Sequence, residues 1–256
     1  MEKLLATYQP ISLEEMSAVK LMNRVDMKFV TTEDKLRQLL EIAANDYCAQ
    51  EVDGQRIASY YTVYFDTDDC EMFRKHQAGH MPRQKLRIRS YVDSHLHFLE
   101  VKTKDNHGRT KKKRTKLSDF EPGMPPKKAS DLNCGEFLSK HLRYDATKLH
   151  SHLENRFCRI TLVNKAKTER LTIDFGLQFH DVDTDCRKSL DGLVIIELKR
   201  DGRMPSPILP LLRQLRIKPQ GFSKYCMGSA MTNDGLRVNR FKPRLRKVEK
   251  IRQSAR

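Results

Sequence analysis

Across this 256-residue chain, charged side chains recur at every second position in short runs, the spacing that puts them on one face of a β-strand. Lys85, Arg87 and Arg89 alternate with Leu86 and Ile88, and Glu100, Lys102 and Lys104 follow Leu99 and Val101 in the same rhythm. The pattern returns in Arg24, Asp26 and Lys28, in Arg170, Thr172 and Asp174, and in Glu197 with Lys199, each time against Val, Ile, Leu, Met or Phe. A single run of this kind is accounted for by a hairpin with a wet outer face. Five runs need another explanation, because a solvated face usually mixes in Thr, Ser and Gln. Burying so many charges in a dry interior costs several kcal/mol apiece, so the space they line must be wet and filled by a compensating ligand. Cations dominate, with a few carboxylates among them. That balance suits a phosphate chain accompanied by Mg²⁺ or Mn²⁺.

The elements that position these residues follow from the pattern. A sheet closed on itself, charged faces inward and apolar faces under helices, satisfies every run and gives an α+β fold. Ser12-Leu-Glu-Glu15 is a capping box that predicts a short helix toward Leu21. Thr31 or Thr32 caps a second helix with Leu36, Leu39, Leu40 and Ala43 as its apolar stripe. Strands are predicted over Ser59 to Asp66 and Glu154 to Leu162, and helices over Gly135 to Arg143, after Pro207, and from Gly221-Phe-Ser-Lys-Tyr225 to about Thr232. In the basic run Arg109 to Lys116, Lys111, Lys113 and Thr115 form a further inward face. Residues 1–235 read as one domain. Residues 236–256 read as a basic, disordered tail, in which Leu245, Val248 and Ile251 are spaced for an amphipathic turn on an anionic surface.

A formal charge of +16 implies a polyanionic partner. Against nucleic acid stand the carboxylates within the strands and the lack of a known binding motif or aromatic stacking set. No apolar run approaches the roughly 20 residues that span a bilayer, and the first residues hold no apolar signal core. The expected location is the cytoplasm, with the inner face of a membrane as the alternative. Six scattered Cys with no CxxC pair read as reduced thiols. The pairs His95-x-His97 and His150-x-His152 have no further Cys or His at ligand spacing, which argues against a metal role for them.

The segments NRVDMKFV, YFDTDD, KLRIRSY, FLEVKTK, GRTKKKR, RLTID, IIELKR and GFSKY stand in an order that resembles the VTC domain, the polyphosphate polymerase module of the CYTH-like triphosphate tunnel superfamily. The resemblance runs from about residue 20 to 232 and implies a closed, antiparallel, eight-stranded tunnel. It implies catalytic roles for Arg87, Arg89, Lys102, Arg156 and Arg170, and substrate contacts for Lys28, Arg74, Lys113 or Arg114, Lys199, Ser223 and Lys224. Glu197 matches the carboxylate that holds the divalent metal. Two positions depart from the pattern: Gly221 stands where a Lys is often found, and Glu154 where a Tyr is expected two residues before Arg156.

The implied reaction is transfer of the γ-phosphate of ATP to a growing inorganic polyphosphate chain by a metal-dependent phosphotransferase. The nearest alternative is hydrolysis of a triphosphate or tripolyphosphate in the same tunnel, and a basic nucleic-acid binder is the more distant one. The chain has neither GxxxxGK[ST] nor a kinase glycine loop, so neither standard route to ATP applies. The expected partners are ATP or another triphosphate, polyphosphate, and a membrane protein or anionic surface reached by the tail.

Overall fold

The computed structural model describes residues 1–17, 24–202 and 204–253. Its strands are β1 (Gln9–Ile11), β2 (Arg24–Thr32), β3 (Tyr47–Gln50), β4 (Ala58–Asp66), β5 (Arg83–Tyr91), β6 (Leu96–Lys104), β7 (Thr110–Leu117), β8 (His150–Asn164), β9 (Glu169–Asp181), β10 (Arg187–Leu190) and β11 (Leu193–Asp201). The α-helices are α1 (Glu2–Leu5), α2 (Leu13–Ser17), α3 (Glu33–Ala43), α4 (Glu71–Ala78), α5 (Gly135–His141), α6 (Ile208–Gln214), α7 (Lys224–Thr232) and α8 (Lys242–Gln253).

Eight strands pair in one antiparallel path, β2-β11-β9-β8-β4-β5-β6-β7, and β1, β3 and β10 attach to it. This is the α+β architecture read from the sequence. Among the described residues no ladder joins the end strands β2 and β7. The outer face is apolar and covered. Leu36, Leu39, Leu40 and Ala43 of α3 pack with Ile208 and Leu212 of α6 on Ile160, Leu171, Ile173, Val194, Ile196 and Leu198. Leu138 of α5 and Phe120 cover Tyr61, Val63, Leu86, Ile88, Leu99 and Val101. Both clusters are built from the residues that alternate with the charges, as the period of two requires.

Thr32 is the residue that caps α3, its Oγ1 accepting from the Lys35 amide at 3.4 Å. The Ser12–Glu15 capping box forms, with the Ser12 amide donating to Glu15 at 3.0 Å. The continuation of that helix toward Leu21, and Asn23 of the first charged strand, lie outside the described residues. All six Cys are free thiols.

The tail differs from its expected disorder. Residues Lys242–Gln253 form α8, with Phe241 and Val248 each only 2% exposed and Leu245 and Ile251 packed beside them. The three apolar residues with helical spacing suffice for one buried stripe, and α8 lays it on β2 and the neighbouring core. The stripe expected to meet an anionic surface therefore faces the protein itself. No helix among the described residues is long and apolar enough to cross a membrane.

Candidate active site

Residues opposite one another in a ladder share a face, so the register identifies the inner wall. On one side of the bore Tyr64, Arg87, Glu100 and Arg114 stand in one row, with Lys85, Lys102 and Lys112 in the next. On the other side Lys28, Glu197, Thr172 and Thr161 form a row, flanked by Lys199 with Arg170 and by Ile195, Asp174 and Arg159. Charged alternation on separate strands thus converges on a single channel.

Two of its carboxylates are fully engaged. Glu100, with no exposed surface, accepts from Arg87 at 2.5 and 2.8 Å and from Lys112 at 3.0 Å. Asp174 accepts from Arg159 at 2.6 and 2.9 Å and also from Lys224. Burial alone would raise both carboxyls, but the adjoining cations hold each well below the usual range. Aromatic faces support the cations: Arg159 lies 4.8 Å and Arg89 5.7 Å from the Tyr60 ring centre, and Lys224 lies 4.0 Å from that of Phe157.

Glu197 is held more loosely, 3.8 Å from Lys28 and 3.5 Å from Lys199. Burial opposes its ionisation, yet Lys28, Lys199, Arg159 and Lys102 bring its carboxyl down to about 2. Lys102 acts from β6, on the far side of the bore. An ionised carboxylate without a tight partner, surrounded by donors for phosphate, fits a Mg²⁺-type ion, which takes one or two carboxylates and completes its shell with substrate oxygens.

One end of the bore is plugged by α7. Gly228 makes this close approach, since a Cβ there would lie 2.5 Å from Phe179 and 2.6 Å from Leu153. The preceding loop is tied to the walls: Lys28 donates to the Phe222 carbonyl at 3.2 Å, and Lys85 to Ser223 Oγ at 2.9 Å. Ser223 also caps α7, which aims the helix's positive end and Lys224 at the channel. Among the described residues, polar atoms on this inner wall that are buried without a hydrogen-bond partner include Arg89 Nε, Arg170 Nε, Thr62 Oγ1 and Thr172 Oγ1. Such orphans are costly and mark a place for a ligand.

Of the residues expected at the site, the fold brings together Lys28, Arg87, Arg89, Lys102, Arg170, Glu197, Lys199, Ser223 and Lys224. Arg156 differs. It pairs with Tyr61 across β4, on the outer face, is exposed, and stacks 4.5 Å from that ring. Arg159 occupies the inner position instead. Phe157 stands two residues before it, the aromatic that Glu154 failed to supply for Arg156, and this signal was available in the sequence. Between Lys113 and Arg114 the register selects Arg114, opposite Glu100; Lys113 faces Val101, so the Lys111, Lys113 and Thr115 face points outward. Arg74 sits on α4, is 57% exposed and pairs with Asp69, away from the channel. Lys85 and Asp174 belong to the charged faces read from the sequence but carry no assigned role there, and Lys112, Arg159 and the Tyr60–Phe157 stack were missed as site residues. They depend on tertiary pairing more than on motif.

Mutual repulsion and burial show in the lysines. Burial first, then neighbouring cations, bring Lys85 down to about 8 and Lys224 to about 7, and Arg87 pushes Lys102 well below its ordinary value. The unfolded chain keeps lysine near 10.4. It therefore binds more protons than the empty fold between pH 7–8 and 10, and the empty fold gains stability as pH rises through that window. A polyanion reverses the shifts. Triphosphate binding at pH 8.5 is expected to take up about one proton or more, read as a dependence of calorimetric heat on buffer ionisation enthalpy. The ligand is already fully ionised there, its last pKa being about 6. Proton release would contradict this electrostatic picture.

The VTC domain profile matches residues 23–233. Among curated proteins none matches the sequence. The structure is similar to HpAC1 from Hippeastrum, named an adenylyl cyclase and described as having a dominant triphosphatase activity, at TM-score 0.50 and 15% identity over 82% of this chain and 96% of that one. It is also similar to a candidate adenylate cyclase from Bacillus halodurans (TM-score 0.48, 15% identity, 79% and 96% covered) and to the Pct1 RNA triphosphatase of S. pombe (TM-score 0.30, 8% identity, 93% and 85% covered). With the profile spanning nearly the whole tunnel, the chain belongs to the VTC domain family.

Proposed function

We propose that this protein is a polyphosphate polymerase, which moves the γ-phosphate of ATP onto the end of a growing phosphate chain. The observation that carries the reading is the inner wall: orphaned donors of Arg89, Arg170, Thr62 and Thr172 surround a cationic channel in which the Glu197 carboxylate is loosely held. Glu197 would hold a divalent ion, which when bound supplies charge neutralisation for the triphosphate oxygens. Arg87, Arg89, Arg159 and Lys102 orient the triphosphate and stabilise the charge spread over the transferring group. Phosphoryl transfer through a loose transition state asks mainly for such positioning. Lys28, Arg170, Lys199 and Lys224 guide the phosphates along the bore. The exposed Arg246, Lys247 and Lys250 of α8 form a surface that can attract a chain outside it.

The state of two wall carboxylates bears on the acceptor. Water needs a base, yet Glu100 and Asp174 are each held by two cations. A terminal phosphate is already ionised near neutral pH and needs none. This favours polymer growth over hydrolysis. Incubation with ATP and Mn²⁺, followed by gel separation, is expected to give a ladder of polyphosphate with matching ADP. Free phosphate from tripolyphosphate without a ladder would transfer the assignment to a triphosphatase.

A further inference from the structure

Away from the channel, the fold completes a constellation that sequence spacing left unfinished. His150 and His152 lie at the start of β8, and the turn between β9 and β10 brings Asp183 to both. His152 Nδ1 is 2.7 Å and His150 Nε2 3.3 Å from Asp183 Oδ2. One ligand atom from each of the three residues falls within 4.8 Å of the other two. A tetrahedral ion with bonds of about 2.0–2.1 Å separates its ligands by roughly 3.3 Å, so small side-chain shifts suffice to close the set.

A break in register makes this convergence. Ser151 pairs with Phe65 and Leu153 with Tyr64, which leaves His152 as an extra residue on β8. Bulges of this kind re-aim a side chain. His152 has no exposed surface, whereas Asp183 reaches the wall of a cavity of about 450 Å³ also lined by Asp68, Cys70, Asn233 and Leu236.

The surroundings supply a second, independent pointer. Metal-bound imidazoles usually direct their other nitrogen at a carboxylate, which fixes tautomer and orientation. Each histidine has a carboxylate beside that nitrogen, although neither pair forms a hydrogen bond: His150 Nδ1 is 3.1 Å from the exposed Asp68, and His152 Nε2 is 3.9 Å from Asp181 Oδ2. Asp181 is fully buried, and its Oδ2 has no hydrogen-bond partner although its Oδ1 accepts from Asp183, Thr184 and the Thr184 hydroxyl. An ion on His152 Nδ1 fixes the proton on Nε2, facing that orphaned oxygen.

We propose that His150, His152 and Asp183 form a second, structural metal site for a zinc-class dication, distinct from the one assigned to Glu197. Two imidazoles and a carboxylate favour such an ion over Mg²⁺, which prefers oxygen and keeps its water. The site is remote from the channel carboxylate: Thr172, opposite Glu197, is nine residues before Asp181 along β9, roughly 30 Å of strand. The ion would tie β8 and the β9–β10 turn together. That turn is already fastened to the end of α7 through Thr184 Oγ1 and the Thr232 carbonyl at 3.0 Å, so the clamp would hold the plug of the tunnel.

The test is calorimetric titration of chelator-treated, full-length protein with Zn²⁺ alone, without nucleotide. One sub-micromolar equivalent is expected, with a raised melting temperature and no displacement by excess Mg²⁺. His150→Ala and Asp183→Asn, both outside the core, should each weaken it at least about tenfold. Glu197→Gln should leave it unchanged. Absence of binding by the parent protein would overturn the proposal. So would an equivalent that survives both ligand variants at full affinity, or one lost in Glu197→Gln alone.

Discussion

Glu197→Gln is expected to lower turnover with ATP by about two to three orders of magnitude, the size of effect seen when a group that stabilises developing charge is removed from a closed site. The substitution keeps shape and volume and removes one negative charge. In the ligand-free protein that charge balances Lys28, Lys199, Arg159 and Lys102, so its loss also leaves the cations facing one another. The variant should melt a few degrees below the parent and recover when tripolyphosphate supplies the missing charge. Steady-state rates at saturating Mn²⁺, paired with melting curves with and without tripolyphosphate, separate the catalytic loss from the structural one. Near-parental turnover would remove Glu197 from the metal position, and Glu100 and Asp174 are poor substitutes because each is already held by two cations.

The fold and the site were legible to different depths. Period-two alternation exposed the wall at Lys28, Arg87, Arg89, Lys102, Arg170 and Glu197, because within a strand parity alone decides which face a residue takes. Parity alone did not choose the inward set of β8. Arg156 and Arg159 are three residues apart and so take opposite faces, and the resemblance points to Arg156 where pairing with Asp174 puts Arg159 inward. In the basic run of β7 nearly every residue is charged, so alternation carries no information. Only pairing with Glu100 and Val101 tells Arg114 from Lys113. The resemblance implies Arg74, but α4 turns it toward Asp69 and solvent. The tail misled for a different reason: its apolar stripe of three residues was visible, but the charge around it pointed to an anionic surface where the protein's own core covers it. His150 and His152 lacked a third ligand in sequence because Asp183 arrives from another strand pair.

Arg159 provides the sharpest test of the inner wall, because the alternative residue is only three positions away. Arg159 bridges the Asp174 carboxylate and the Tyr60 and Phe157 rings, and it contributes to the field on Glu197. Arg159→Ala is expected to cut kcat/KM for the triphosphate at least about a hundredfold, as loss of one preorganised donor to developing charge does. Arg159→Lys keeps the charge but loses the two-pronged grip on Asp174, so it should recover only part of that activity while guarding against simple misfolding. Arg156→Ala removes an exposed cation–π contact worth about 0.5–1 kcal/mol. It should leave kcat/KM within about threefold of the parent and lower the melting temperature slightly. Measured side by side at fixed ionic strength, the two alanine variants share the same loss of net charge, so non-specific attraction of the substrate cancels between them. A larger kinetic defect in Arg156→Ala than in Arg159→Ala would mean that β8 carries its functional arginine on the face opposite to the one described, and the channel lining would have to be redrawn from that strand outward.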